Sequence, residues 1–152
     1  MVKEWIHKYL SSEDLETIKN EIVKVEQKTS GEIRVSLRGK RNLFEKLYKP
    51  RELAIKDFER LGMANTKHKT GILIFIVFEE RLYDILADEG IYEKIPNSVW
   101  NDLENKLKEE FRSGNYLKGI LHLINKMGEI LAKEFPKTKE DIDELPDEVI
   151  VN

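Results

Sequence analysis

Residues 71–87 read GILIFIVFEERLYDILA, and the fold turns on how they are paired. After the glycine, ILIFIVF is apolar at every position. Helix and strand both tolerate such a run, but its short length and its β-branched Ile72, Ile74, Ile76 and Val77 select the strand. Being apolar on both sides, that strand belongs inside a sheet covered on both faces. Glu79 and Glu80 then reverse the chain in a tight hairpin, and RLYDILA returns beside it. The pair lacks the Asn-Gly chemistry that such turns prefer.

Upstream, EIRVSLR at 32–38 alternates strictly. Ile33, Val35 and Leu37 fall on one face, and Glu32, Arg34, Ser36 and Arg38 on the other, which predicts a half-buried strand with a solvated polar side. Before it, Ser11 and Ser12 followed by Glu13 and Asp14 open a helix, and Leu15, Ile18, Ile22 and Val25 recur at helical spacing. Pro50 suits a first helical position, with Leu53, Ala54, Phe58 and Leu61 on one side up to Gly62. Pro96-Asn97-Ser98 starts a third helix ending at Gly114, and a fourth carries Ile120, Ile124, Met127 and Leu131 towards Pro136. A helical crossover between the first two strands makes them parallel, and the hairpin adds an antiparallel neighbour. The expected fold is α/β, a three-layer α/β/α sandwich around a small mixed sheet. One domain spans residues 1–136, and the acidic segment 137–152 runs extended along it, with EVIV as an edge strand.

With 26 basic against 29 acidic side chains, the net charge of −3 argues against nucleic acid as a partner. The absence of cysteine excludes disulfides, thiolate catalysis and cysteine-ligated metal. No apolar run approaches the roughly 20 residues of a spanning helix, and the first residues lack a signal-peptide core. The expectation is a cytoplasmic chain with no membrane span. No GxSxG, GxxxxGK[ST] or GxGxxG occurs, and His7, His68 and His122 have no metal-ligand spacing. Two basic clusters, Lys67-His68-Lys69 and Arg38 with Lys40 and Arg41, have the charge to attract an anion but form no motif. The charged KLKEEFR stretch reads as a solvated helix face.

The stretch YDILADEGIYEKIP, 83–96, sets Asp88 and Glu89 against Gly90. Two readings compete. In one, Gly90 takes a positive φ and Asp88 turns the chain through its own backbone. In the other, Glu32, Asp88 and Glu89 gather oxygen ligands for a hard divalent cation such as Ca²⁺, with carbonyls and waters completing the shell.

The segments SGEIRV, LGM followed by GILIF, DEGI, and FRSGNYLKGI, in this order, resemble the TPM domain family. That family is named for a thylakoid-lumen phosphatase-like protein, a photosystem II repair protein and a modulator of a levamisole receptor. The chain is similar to the stand-alone bacterial-type members, and the expectation is a protein without the leader, membrane helix and Gly-rich tail of other relatives. The resemblance implies an α/β/α sandwich and an acidic cleft at one end of the sheet that holds Ca²⁺ in some members. Position by position it points to Glu32 and to the Asp88–Glu89–Gly90 corner. If the chain is an enzyme, the implied chemistry is metal-assisted phosphate-monoester hydrolysis, as in an acid phosphatase, with Asp88 and Glu32 holding the ion. No nucleophile or general acid stands out, and no organic cofactor is implied. The alternative is a noncatalytic interaction module. The partner is accordingly either another protein or a small phosphorylated substrate.

Overall fold

A computed structural model of the protein describes residues 3–65, 70–138 and 145–152. Helix α1 (Ser12–Glu26) leads to strand β1 (Glu32–Arg38), helix α2 (Pro50–Arg60), strands β2 (Gly71–Val77) and β3 (Leu82–Ala87), and a short helix α3 (Glu89–Tyr92). Helices α4 (Asn97–Arg112) and α5 (Tyr116–Glu134) follow, and Ile150–Val151 forms β4. The sheet order is β3-β2-β1-β4. β1 is parallel to β2 and to β4, and β2 is antiparallel to β3. The mixed sheet and its flanking helices make the α/β sandwich that the sequence implies.

The alternation of the strands sorts the core. Ile33, Val35, Leu37, Ile72, Ile74, Ile76 and Ile85 pack with Ile18 and Ile22 of α1, Leu103 and Leu107 of α4, and Ile120, Ile124 and Met127 of α5. The opposite face puts Leu73, Phe75, Val77 and Leu86 against Leu53, Ala54 and Phe58 of α2 and against Met63. At about 1.5–3 kcal/mol for each fully buried aliphatic or aromatic side chain, these two layers outweigh any single polar contact. Local signals set where the helices begin. Ser11 Oγ accepts from the Asp14 N–H at 3.0 Å while the Asp14 carboxylate accepts from the Ser11 N–H at 2.9 Å, a capping box that starts α1. Gly62 and Gly114, at φ +74 and +79, close α2 and α4 in the left-handed conformation that favours glycine.

Two expectations differ from the structure. The polar face of β1 is not solvated: Glu32, Arg34 and Ser36 are buried because α2 and the C-terminal segment lie across it. Its charges are absorbed by Asp57 on α2, 2 % exposed, which accepts from Ser36 Oγ at 2.9 Å, Arg38 Nη2 at 2.8 Å and Arg60 Nη2 at 3.1 Å. The hairpin is also wider than a two-residue turn, since the last pair is Val77 with Leu82 and Phe78–Arg81 form the loop. Phe78 and Glu79 instead continue β2 alongside β1, donating to the Arg38 and Gly39 carbonyls, so reversal waits for Arg81 at φ +54.

Candidate functional site

Glu32, Gly71 and Asp88 form a lateral row at one end of the sheet. Glu32 pairs with Gly71 across the β1–β2 ladder, and the Asp88 N–H donates to the Gly71 carbonyl at 2.9 Å. Gly71 gives the row no side chain of its own, and Met63 lies over the gap, its Cε 3.4 Å from where a Cβ would stand. Glu32 is buried, and its Oε1 accepts from the Leu145 N–H at 2.7 Å. Asp88 is the N-cap of α3: Oδ1 accepts from the Glu89 N–H at 2.8 Å, and its carbonyl accepts from Ile91 and Tyr92. Gly90 lies inside that helix and has no positive φ, so the chain turns by a capped helical turn and not by a left-handed glycine. Asp88 Oδ2 is buried without a hydrogen-bond partner among the described residues, whereas Glu89 points into solvent. The row thus brings two of the three carboxylate residues to one edge, with one free oxygen between them and the cap. Among the described residues no group of three or more carboxylate or histidine side chains is placed to hold one metal ion. The Lys67-His68-Lys69 tract lies outside the described residues.

The opposite end of the sheet has the opposite charge. A cleft of about 530 Å³ opens where β2 ends and β3 begins, lined by Arg81, Tyr83, Lys108, Arg112, Ser113 and Tyr116 with Phe78 and Phe111. Its floor is aromatic: Phe78 and Phe111 stack at 5.6 Å, and Tyr83 and Tyr116 meet the Phe111 ring edge-on at 5.0 and 5.2 Å. Burial raises the Tyr83 phenol above its ordinary range, with Arg81 opposing the shift. The phenol therefore stays a neutral hydrogen-bond donor at neutral pH. Arg81, Lys108 and Arg112 have no ion pair among the described residues. Three cations of one sign facing one concave space favour an anion there. A second cleft, about 420 Å³, lies along the outer side of β3. It contains Asp84 and Glu104, and Glu104 is raised mainly by burial, with Lys108 opposing the shift and Asp84 adding to it. Arg51 also lines this cleft but is spent on Asp84 at 2.7 Å, which leaves Glu104 there, so the basic cleft is the better candidate for phosphate chemistry.

The sequence profile of the TPM domain matches residues 7–130. The chain belongs to the TPM domain family. The solution structure of the BA42 protein from the psychrophilic bacterium Bizionia argentinensis is 34% identical to this TPM domain, with a TM-score of 0.85 over 95% of this chain and 96% of that one. The N-terminal domain of a P. gingivalis protein matches at 18% identity and TM-score 0.68, covering 84% and 79% of the two chains. The N-terminal domain of cg2496 from Corynebacterium glutamicum matches at 15% identity and TM-score 0.59, covering 89% and 81%. The last two establish the fold alone. No protein with a curated description matches significantly.

Within the TPM domain, the residues of the basic cleft escaped the sequence reading. Lys108 and Arg112 lie in a stretch that looks like an ordinary charged helix face, and Arg81 looks like a hairpin residue. Their common feature is long-range: β3 returns Arg81 beside the C-terminal turn of α4. The signal nearest to them is the FRSGNY segment, which ends α4 at Gly114 and starts α5.

Proposed function

We propose that this TPM domain is a phosphate-ester-binding module, with Arg81, Lys108 and Arg112 holding the phosphoryl oxygens and the half-buried Tyr83 and Tyr116, seated on the buried Phe78–Phe111 pair, taking the organic part of the ligand. The observation that carries this reading is the set of three cations without ion-pair partners among the described residues around an aromatic-floored cleft. Guanidinium forks match phosphate geometry, and ring faces bury an apolar substituent. The family name, which joins the TPM domain to a phosphatase, is consistent with a phosphomonoester as the ligand class.

Binding without turnover is the form of this reading that we favour. A strand rises about 3.3 Å per residue, so the length of β2 puts the acidic row roughly 20 Å from the basic cleft. A cation held by Asp88 cannot polarise a phosphoryl group bound that far away. For the acidic row itself we propose a weak divalent-cation contact at Asp88, supported by its unpartnered Oδ2, with Glu89 at the rim. Glu32, whose Oε1 is committed to the Leu145 N–H, is the member of the row least suited to serve such an ion. No chemical step is routed through such an ion.

The test is a titration of the ¹⁵N-labelled protein with phenyl phosphate, followed by amide shifts, beside an assay for released phosphate with and without Ca²⁺ or Mg²⁺. The expected result is shifts clustered on 78–83 and 108–116 and no metal-dependent turnover. Turnover abolished by Asp88→Ala would favour the metal-assisted hydrolase instead. Absence of any shift would remove the phosphate reading.

A further inference from the structure

The loop from Gly39 to Lys49 is inside out. Its half-buried Arg41 and Glu45 turn inward and fix its shape, while its large apolar side chains face solvent. Asn42 Oδ1 accepts from the Glu45 N–H at 2.8 Å, and Glu45 Oε1 accepts from the Asn42 N–H at 2.9 Å. The same Glu45 takes Arg38 Nη1 at 3.0 Å through its other oxygen. Arg41 grips Glu80 with Nε and Nη2, its backbone N–H donates to Glu80 Oε2 at 2.8 Å, and its Nη1 donates to the Tyr48 carbonyl at 2.9 Å. The turn so held displays Leu43 at 84%, Phe44 at 80% and Leu47 at 80% exposure. A loop that merely connected β1 to α2 would not expose three such side chains within five residues, because each loses the burial that apolar groups gain.

The surroundings of this tip are basic. From Gly39 to Lys56 the chain carries six Lys and Arg against two Glu, in a protein whose net charge is −3. Glu80 and Asp84 pair with Arg41 and Arg51. That leaves Lys40, Lys46, Lys49 and Lys56 with no ion pair among the described residues, and Lys56 Nζ lies 4.6 Å over the Tyr48 ring.

We propose that this loop is a peripheral docking element for an anionic lipid bilayer. Leu43, Phe44 and Leu47 enter the interfacial zone, and the lysines remain at headgroup level. Charge complementarity selects this occupant: a protruding apolar tip inside a lysine collar matches a surface that is apolar within and negative at its edge. A protein groove would receive the apolar tip equally well but gives no reason for the collar. No helix among the described residues is long and apolar enough to cross a membrane, and the tip itself reaches into one leaflet only. This inference does not depend on the phosphate cleft.

The experiment is co-sedimentation of the protein with large vesicles of pure phosphatidylcholine and of equimolar phosphatidylcholine and phosphatidylserine, at low and high salt. Binding is expected to the anionic vesicles only, and to weaken as salt is added. Phe44→Ser should reduce it by about tenfold or more, the loss expected when one aromatic side chain is no longer buried. The double variant Lys46→Gln, Lys49→Gln should reduce it by about 25-fold, since each basic side chain near such a surface is worth about a factor of five. These positions are exposed, and an unchanged ¹H–¹⁵N spectrum confirms that the variants fold; Phe44→Ser should also leave the phenyl phosphate response intact. The proposal is overturned by failure to bind anionic vesicles, by equal binding to pure phosphatidylcholine, or by wild-type binding of Phe44→Ser. Self-association that disappears in Phe44→Ser would overturn it too, assigning the tip to a second copy of the chain.

Discussion

Replacing Asp57 by alanine tests whether the buried polar face of β1 holds α2 to the sheet. The carboxylate is 2 % exposed and receives three donors. Removing one side of a buried ion pair costs about 3–5 kcal/mol, because the remaining charge stays desolvated. Two facts move the expectation to the low end. Arg38 keeps Glu45 at 3.0 Å, and the Arg60 side chain is 55% exposed, so its share is that of a surface pair, about 0–1 kcal/mol. The expected loss is therefore about 3 kcal/mol, a large part of a typical 5–15 kcal/mol. At about 2–4 °C per kcal/mol for a chain of this size, Tm falls by roughly 6–12 °C. Urea unfolding followed by far-UV circular dichroism gives the free energy, with Arg60→Ala as a control expected to lose at most about 1 kcal/mol. An Asp57→Ala protein within about 0.5 kcal/mol of the wild type would refute the reasoning, showing that water or a rearranged Arg38 replaces the carboxylate at no cost.

Other consequences follow from single contacts. Gly128→Ala places a Cβ 2.7 Å from Val25 Cγ2 at the α1–α5 crossing, and thermal melting should report a loss of about 1–3 kcal/mol from overpacking. Asp88→Ala should lose about 1 kcal/mol with its cap, whereas Asp88→Asn keeps the cap and the fold while abolishing any Ca²⁺-induced amide shifts at 88–90. Tyr83 carries a phenol raised by burial, so its neutral form stabilises the fold fully below pH about 10 and less as pH rises towards the folded pKa. Urea midpoints measured across alkaline pH should accordingly fall less steeply in Tyr83→Phe.

What could be read from the sequence was whatever is encoded within a few residues. The apolar run at 71–78, the alternation of 32–38, the Ser11 and Pro50 starts and the Gly62 and Gly114 stops all carry their meaning locally, and the structure places elements at each. Alternation at 32–38 was nevertheless a poor guide to solvent. Period two says that two faces differ, not that the polar one is wet, and the acceptor for Ser36 and Arg38 sits on α2 at Asp57. The acidic row was half visible: Glu32 and Asp88 do share one sheet end, but their hydrogen bonds to Leu145 and Glu89 depend on the tail and on a short helix with no sequence periodicity. The basic cleft was invisible because Arg81, Lys108 and Arg112 become neighbours only when β3 folds back beside α4. The exposure of Leu43, Phe44 and Leu47 has no local signal, since apolar residues in a loop ordinarily suggest a helical turn facing inward.

Locating a bound phosphate is the most direct test of the central claim. A crystal of the protein soaked with phenyl phosphate in the presence of Ca²⁺ would show it. The account predicts phosphoryl oxygens between Arg81, Lys108 and Arg112, with the phenyl ring against Tyr83 or Tyr116. Phosphate bridged to a cation at Asp88 and Glu32, with the basic cleft empty, would contradict it.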